Sequence, residues 1–338
     1  MTETLDEKDV LALGPVAAVA AVRRALADGL DPDAGVPRSV VPLTRGQALL
    51  MPCEYGGWFG VKVATVAPGN TARGLRRINA TYLLHDSATL RPVALLDGVA
   101  LTTLRTPAVS VAACLERLRA LVDGGTGLRL VVFGAGPQAE AHVTAVRAHA
   151  PVADVTVVTR RGGPAPGWAD RHMTAGGTGL SDGTRTSRGA GAAGGTGTGA
   201  GTAGGSGTGT AALVRRADVV VTATSAREPV VDGRLVRDGA VVLAVGSHEP
   251  AARELDSALM GRATVLVESR ETALREAGDV VLAIREGALA PDCLVTLAES
   301  AGEGAAALPA DRPLVVKTCG MGWQDLVVAV AAYRRGRG

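Results

Sequence analysis

The chain has 338 residues, of which 47% are hydrophobic but only 2% aromatic, and its formal net charge is +2. This length favours two domains, whose cores must be built from Ala, Val and Leu. The near-neutral charge argues against nucleic acid as a partner. The four cysteines lack metal-ligand spacing, which predicts no metal site and a reducing, cytoplasmic location. The acidic, polar start is unlike a signal peptide, and no apolar run is expected to span a membrane.

The N-terminal part is predicted to form a helix followed by short strands. Residues 10–30 have a helical pattern, and extended segments follow at 38–43, 48–52, 58–66, 80–86 and 92–98. Strands at this density indicate a mostly antiparallel sheet or a small barrel. A long helix over 101–122 then leads into the next domain.

A strand, a glycine turn and a helix follow, and they carry the clearest functional signal. The apolar run 130–133 enters a G-x-G-x-x-A turn made of Gly134, Ala135, Gly136, Pro137, Gln138 and Ala139. The first glycine permits the turn, the second lets the backbone approach a pyrophosphate, and the small Ala139 permits helix–strand packing. Pro137 suits a first helical turn, whose free N–H groups attract phosphate. The pattern predicts a dinucleotide site; the alternative is a tight turn without a ligand.

The end of the next strand indicates which dinucleotide is bound. The apolar run 155–158 leads to Thr159, Arg160 and Arg161. An acidic residue here would hold the ribose 2′-hydroxyl of NAD, whereas arginine fits a 2′-phosphate. NADP(H) is therefore favoured over NAD(H), the alternative being two solvated arginines.

The remainder of the chain contains an unusual insertion and then a regular α/β pattern. Residues 174–210 consist almost entirely of Gly, Thr, Ala and Ser, which predicts a flexible insertion. Apolar runs at 217–225, 240–247 and 264–268 alternate with helical segments, which predicts a parallel sheet, and one more apolar run follows at 313–318. Because ligands bind at the carboxyl ends of such strands, this topology brings to one crevice Thr224, Ser225, Gly246, Ser247 and His248.

Several short motifs together resemble one family. They are Met51-Pro52, Gly60-Val61-Lys62, Pro68-Gly69-Asn70, Leu95–Gly98, Leu101–Thr106, Gly134–Ala139, Ala244–Ser247, Arg253–Asp256 and Gly320–Asp325. In this order they resemble the ornithine cyclodeaminase/μ-crystallin family over nearly the whole chain except the insertion.

The resemblance implies an architecture and a class of activity. It implies a Rossmann-type doubly wound parallel sheet over 121–311, plus an α+β substrate-binding and dimerisation domain built from 1–120 and 312–338. It also implies a homodimer that acts on a small α-amino or α-imino acid with a nicotinamide cofactor.

The resemblance assigns roles to particular residues as well. Arg38 and Arg105 match the arginines that bind the substrate carboxylate, and Lys62 matches the lysine that faces the α-carbon. Burial of Lys62 in its apolar strand would bring its pKa toward the range of an acid/base. As alternatives, the arginines could form ordinary ion pairs and Lys62 could snorkel at a strand edge.

Together, motif, topology and resemblance predict the cofactor-binding residues to be Arg105, Thr106, Gly134, Ala135, Gly136, Pro137, Gln138, Ala139, Thr159, Arg160, Arg161, Thr222, Thr224, Ser225, Val245, Gly246, Ser247 and Gly320.

One departure from the family pattern bears on the reaction. Cyclodeaminases of the family carry an aspartate just after the Ala-Val-Gly strand, but this chain has His248 there, followed by Glu249. His248 could be a proton donor or a solvated loop histidine. The other histidines do not cluster, and His142 and His149 are expected to be exposed on one helix face.

Three functions are compatible with these residues. The first is an NAD(P)H-dependent reductase or dehydrogenase at the C=N or C–N bond of an α-imino or α-amino acid, which the missing aspartate favours. The second is an ornithine or lysine cyclodeaminase that releases ammonia and recycles NAD. The third is a non-catalytic, NADPH-dependent binder of a small ligand.

Overall fold

The structure is a computed structural model that describes residues 2–122, 125–175, 180–182, 209–301 and 308–337. Most of the insertion expected at 174–210 lies outside these residues. The described chain forms two β-sheets, one of six strands and one of nine.

The first sheet is open and mostly antiparallel, as the strand pattern predicts, and it does not close into a barrel. Its order is β1-β6-β5-β4-β3-β2, and only β1 and β6 pair in parallel. The strands are β1 (Glu3–Leu5), β2 (Ser39–Leu43), β3 (Gly46–Tyr55), β4 (Trp58–Val66), β5 (Ile78–Asp86) and β6 (Pro92–Asp97).

Three helices pack on the inner face of this sheet: α1 (Glu7–Leu11), α3 (Gly98–Val122) and α10 (Gly322–Arg335). Helix α2 (Gly14–Ala27) packs on α3 and α10. The single helix expected over 10–30 is two helices, because Gly14 has a φ of +75° and Pro15 restarts the helix. By length and composition alone, α3 could cross a membrane, contrary to expectation, although 72% of its most apolar window is buried inside the protein.

The second sheet is doubly wound, as predicted. Its order is β10-β9-β8-β7-β11-β12-β15-β13-β14, parallel except for β10. The strands are β7 (Leu128–Phe133), β8 (Val152–Thr159), β9 (Arg171–Thr174), β10 (Leu180–Asp182), β11 (Val219–Thr222), β12 (Val241–Ala244), β13 (Thr264–Val267), β14 (Leu294–Thr296) and β15 (Leu314–Lys317). The helices between them are α4 (Pro137–Arg147), α5 (Thr210–Arg216), α6 (Ser257–Met260), α7 (Arg270–Glu276), α8 (Gly278–Arg285) and α9 (Leu297–Ala301).

The direction of winding reverses at β7. From β7 the chain moves to β8 on one side and later to β11 on the other, so a crevice opens beyond the carboxyl ends of β7 and β11. Ligands bind at such a switch point.

One hydrophobic core joins the two sheets. Leu130 and Val132 of β7 face a cluster that continues through α2, α3 and α10 to Tyr82 of the first sheet. Val131 and Phe133 face a second cluster on the opposite side of the sheet. The shared core thereby holds the inner face of the first sheet close to the carboxyl edge of the second.

The second sheet extends beyond residue 312, where the chain was expected to return to the substrate-binding domain. Strand β15 belongs to the second sheet, between β12 and β13. The return to the first sheet therefore begins after β15, with α10, which packs on β3 and β4.

Candidate functional site

Lys62 lies on the inner face of β4, where the alternation of the strand buries it beside Tyr82 and Met51 of the neighbouring strands. It is 2% exposed. Its Nζ lies 2.7 Å from Oδ2 of Asp325 and 2.9 Å from Oδ1, and it donates to Thr102 Oγ1 at 3.3 Å. Asp325, in the first turn of α10, is fully buried.

This environment brings the pKa of Lys62 into the range useful for proton transfer. Burial and, to a smaller extent, the positive charge of Arg105 lower the pKa to about 8, against the opposing attraction of Asp325. A lysine with such a pKa exchanges a proton readily near neutral pH.

Arg105 of α3 shares the carboxylate of Asp325 with Lys62. Its Nε lies 3.2 Å from Asp325 Oδ1, and its Nη1 donates to Oε1 of Gln324 at 2.6 Å. The backbone of Gly320, with a φ of +83°, packs against this guanidinium, and a Cβ there would lie 2.6 Å from Nη1. The structure thus brings two of the predicted site residues together around one buried acid.

Arg38 reaches the same region from the segment before β2. Its Nη2 pairs with Glu276 at the end of α7 and donates to the Cys319 carbonyl at 3.3 Å. A groove between the sheets is lined by Arg38, Met51, Cys53 and Gly320, among others. The groove connects Arg38 with the glycine that contacts Arg105.

The glycine turn after β7 has the geometry that a dinucleotide requires. Gly134 has a φ of +105°, and a Cβ there would lie 2.5 Å from the Ala223 carbonyl oxygen. A Cβ on Gly136 would meet nothing within 4 Å, so that position is open to a ligand. Ala139 is fully buried, and α4 begins at Pro137 without a side-chain cap. The exposed helix start fits the pyrophosphate of a nicotinamide dinucleotide.

The end of β8 carries the residues expected beside the adenosine ribose. Arg160 and Arg161 are exposed. The Thr159 hydroxyl donates to the Arg161 carbonyl at 2.6 Å and lies 2.8 Å from His172 Nε2. Both guanidinium groups therefore follow the strand next to β7, where the ribose lies in doubly wound domains.

A buried carboxylate ties together the ends of β11 and β12. Glu254 is fully buried and accepts from the Thr222 hydroxyl at 3.0 Å, from the Thr224 amide and hydroxyl at 2.7 Å each, and from the Gly246 amide at 2.7 Å. The hydroxyl of Thr222, which the sequence predicts to bind the cofactor, therefore faces the protein interior. Half-buried Thr224 and Gly246 and exposed Ser225 lie at the crevice.

Other predicted cofactor residues also use their polar groups internally. The Ser247 hydroxyl donates to the Ala252 carbonyl, and the Thr106 hydroxyl donates to the Thr102 carbonyl at 2.8 Å. The guanidinium of Arg105 is directed at Asp325 and Gln324, which associates it with the substrate side of the crevice. Val245 is half-buried after β12.

His248 lies exposed on the turn after β12. Neighbouring atoms of the crevice desolvate its ring and lower its pKa, and the positive charges of Arg38 and Lys317 act in the same direction. The neutral imidazole is therefore favoured, so at neutral pH His248 carries a proton to donate in a smaller fraction of molecules than Lys62 does.

His142 corrects one expectation. It is buried, not exposed, because Nδ1 contacts the Gln138 carbonyl at 2.7 Å and Nε2 contacts the Ser110 hydroxyl of α3 at 3.0 Å. Burial lowers its pKa to about 4. This histidine links α3 to the start of α4, next to the glycine turn, whereas His149 is half-buried.

The sequence left several site residues without a role. Asp325 belongs to the Gly320–Asp325 motif, and its position in the first turn of an apolar helix was the signal that could have paired it with Lys62. Gln324, Glu268 and Glu254 are buried residues that hold other site residues in place. A further buried pair joins Lys317 Nζ to Asp279 Oδ2 at 3.0 Å, and Nζ also donates to the Ser247 carbonyl at 2.5 Å.

Comparisons with known proteins agree with this architecture. The model of the ornithine cyclodeaminase/mu-crystallin family matches residues 16–170 and 205–336. The chain is 31% identical to a Delta(1)-pyrroline-2-carboxylate reductase of Bacillus thuringiensis over 86% of this chain and 82% of that protein. It is 31% identical to the ketimine reductase mu-crystallin of Mus musculus, over 89% and 86%.

Solved structures share the fold over almost the whole chain. The Thermococcus litoralis Delta(1)-pyrroline-2-carboxylate reductase in complex with NADH and L-proline has a TM-score of 0.78 and 25% identity, with 99% of this chain and 98% of that chain covered. An archaeal alanine dehydrogenase dimer with bound NAD has a TM-score of 0.78 and 22% identity, with 99% and 96% covered. With a family model matched along most of its length and relatives above 30% identity, the chain belongs to the ornithine cyclodeaminase/mu-crystallin family.

Proposed function

We propose that this protein is an NAD(P)H-dependent reductase of α-imino acids, with a cyclic ketimine such as Δ1-pyrroline-2-carboxylate as substrate. The observation that carries the proposal is the buried cluster of Lys62, Asp325 and Arg105 beside the carboxyl edge of a dinucleotide-binding sheet. Two relatives above 30% identity are named as reductases of this substrate class.

In this proposal the cations fix the substrate and move one proton. Arg105 and Arg38 bind the carboxylate, because guanidinium pairs with carboxylates through fixed hydrogen bonds. A bound reduced nicotinamide supplies the hydride that adds to the imine carbon. Lys62 donates the proton to the imine nitrogen, so that C=N becomes CH–NH, and it is reprotonated from solvent. In the reverse direction, neutral Lys62 takes that proton from an α-amino acid.

The residues after β12 make the cyclodeaminase reaction, ring closure with loss of ammonia, the weaker candidate function. At the position of the family aspartate, His248 has a lowered pKa and carries no carboxylate. The carboxylate of the next residue, Glu249, is exposed and pairs with Arg227 at 2.9 Å. Neither side chain offers an unpaired acid to polarise a substrate amine.

We infer a preference for NADPH from the two arginines after β8. Exposed Arg160 and Arg161 are suited to a 2′-phosphate, which a guanidinium binds through charged hydrogen bonds. Replacing both with alanine is expected to lower kcat/KM for NADPH at least about tenfold while changing that for NADH less than about threefold. Equal losses with both cofactors would contradict the preference.

We further propose a homodimer that forms through the outer face of the first sheet. Val41, Leu43, Val63 and Leu95 expose 38–49% of their surface on this face. An exposed apolar sheet face of this kind marks an interface. A second copy is the proposed occupant, since one structural neighbour is a dimer.

The function is tested by a paired assay on the purified protein. One arm follows NADPH and NADH absorbance with Δ1-pyrroline-2-carboxylate, and the other follows ammonia release from L-ornithine or L-lysine with catalytic NAD. Loss of NAD(P)H absorbance without ammonia is expected. Ammonia release without net cofactor change would contradict the reductase proposal and favour the cyclodeaminase. Ligand binding without turnover in either arm would favour the binder.

A further inference from the structure

Glu268 occupies a position that neither the resemblance nor the proposed chemistry explains. It directly follows β13, and it is 3% exposed. Its carboxylate accepts from the Cys319 amide at 2.7 Å, from the Gly320 amide at 3.1 Å and from Nε2 of Gln324 at 2.5 Å. These donors converge on the two carboxylate oxygens. Glu268 forms no ion pair with any other residue that the structure describes.

The first consequence concerns the side-chain amide of Gln324. A carboxylate only accepts hydrogen bonds and a guanidinium only donates them. Gln324 lies between the two, so its Nε2 must face Glu268 and its Oε1 must face Arg105. Glu268 therefore fixes the orientation of the amide that receives Arg105 Nη1.

The second consequence concerns Gly320. Glu268 holds the amide of Gly320, and the backbone of Gly320 packs directly against the guanidinium of Arg105. The same carboxylate thus constrains Arg105 along two independent paths. Asp325 supplies a third contact, at Nε.

We propose that Glu268 is a positioning residue for substrate binding, acting on Arg105 through Gln324 and Gly320. It touches neither substrate nor cofactor in this proposal, which rests on the proposed role of Arg105 in binding the carboxylate. Through Glu268, the second sheet orients an arginine on a helix that follows the first sheet. The orientation of Arg105 thereby depends on how the two sheets are joined.

Glu268→Gln tests the proposal with almost no change in shape. If the new amide keeps its oxygen toward Cys319 and Gly320, its NH2 group faces Nε2 of Gln324. If it turns over, its NH2 group faces the two backbone amides. In either orientation, N–H donors face other N–H donors. If Gln324 rotated its amide to remove this clash, its NH2 group would face Arg105, which is also only a donor. We expect KM for the imino acid to rise at least about tenfold, with kcat changed less than about threefold and KM for the cofactor less than about twofold.

A double-mutant cycle separates positioning from general damage. If Glu268 acts through Arg105, then Glu268→Gln in an Arg105→Lys background changes substrate KM less than about twofold. An equal rise in both backgrounds would overturn the proposal. Asp256→Asn is the matched control, because Asp256 also accepts backbone amides, those of Gly233 and Leu259, within the same sheet unit. It is expected to lower Tm without changing substrate KM.

A structure of the Glu268→Gln protein decides the matter without turnover. We expect the contact of Arg105 Nη1 with Gln324 Oε1 to be lost while Lys62 keeps Asp325. If Arg105 retains both contacts, the proposal is overturned. Absence of imine reduction by the wild-type protein would contradict the proposed function instead, and this structural comparison would still decide the role of Glu268.

Discussion

One carboxylate between two cations organises the site. Asp325 receives Lys62 at 2.7 Å and Arg105 at 3.2 Å, and all three residues are buried. Removing one partner of such a cluster is costly because it leaves a buried charge without compensation. The cluster keeps one net positive charge, which suits a substrate with one carboxylate.

The lowered pKa of Lys62 predicts opposite pH dependences for the two directions. Reduction requires the protonated amine, so its kcat/KM should fall about tenfold per pH unit above about pH 8. Oxidation of the amino acid requires the neutral amine, so its kcat/KM should rise with pH up to about 8 and then level off.

Two variants, Lys62→Met and His248→Asn, test which residue causes the inflection near pH 8. Lys62→Met should lower kcat/KM for reduction by about 10²–10⁴-fold, the usual contribution of a general acid. His248→Asn should keep the wild-type profile. If His248→Asn abolished the inflection near pH 8, the histidine would be the donor and this account of Lys62 would be wrong.

A single methyl group should disturb substrate binding at Gly320. Gly320→Ala places a Cβ 2.6 Å from Arg105 Nη1, and we expect substrate KM to rise about tenfold or more. Gly287→Ala is the matched control, because Gly287 has a similar φ of +74° but nothing within 4 Å. Both variants bear the cost of a positive φ. Equal KM values in steady-state kinetics would contradict the placement of Arg105.

The sequence analysis placed motif residues in the site and missed the residues that depend on distant partners. Lys62 and Arg105 were expected in the site and the structure brings them together on Asp325, while their roles stay predictions. The pairing itself joins positions 263 residues apart, which no local pattern encodes. The roles of Gln324 and Glu268 follow from hydrogen-bond polarity, which becomes visible only when donors and acceptors are placed in space.

At the scale of elements, the two glycines of the dinucleotide-binding turn should fail in different ways. Gly136→Ala meets nothing within 4 Å and has an ordinary φ of −83°, so Tm should change little. Its methyl group should obstruct the pyrophosphate and raise KM for the cofactor at least about tenfold. Gly134→Ala, with a φ of +105° and the Ala223 carbonyl oxygen at 2.5 Å, should lower Tm markedly.

Thermal unfolding and cofactor titration distinguish these cases. Unchanged cofactor affinity in Gly136→Ala would contradict a pyrophosphate at this turn. A wild-type Tm for Gly134→Ala would mean that the turn can relax.

Elements with strong periodicity were predicted well, and those decided by neighbours were not. The strand expected at 58–66 is observed at Trp58–Val66, since its alternation buries Lys62 and Ala64. The helix expected over 10–30 is interrupted at Gly14 by backbone conformation. His142 was expected in solvent because nothing local shows that Ser110 of another helix covers it.

At the scale of the molecule, one hydrophobic cluster joins the two sheets of the described chain, and a second cluster covers the other side of the nine-stranded sheet. The doubly wound sheet was predictable from strands alternating with helices. The placement of β15 in that sheet was not, because its apolar run would fit either unit. The cytoplasmic location stays a prediction, and all four cysteines are free thiols.

The exposed face of the first sheet predicts the oligomeric state. Val63→Asp places a charge on a residue that is 42% exposed at the centre of that face, and we expect it to convert a dimer into a monomer. Leu274→Asp on α7, at 40% exposure, is the matched control and should remain dimeric. Light scattering after size-exclusion chromatography measures both masses. A wild-type monomer, or a dimer that tolerates Val63→Asp, would contradict this interface.

Reduction of a carbon–nitrogen double bond is tested most directly by following the hydride. NADPH deuterated at both C4 positions is incubated with the protein and Δ1-pyrroline-2-carboxylate, and the product is analysed by mass spectrometry and NMR. We expect proline with one deuterium, on the α-carbon, and an initial rate of its formation at least about 100-fold lower with Lys62→Met than with the wild-type protein. Unlabelled proline, or label at any other carbon, would contradict direct transfer of hydride to the imine.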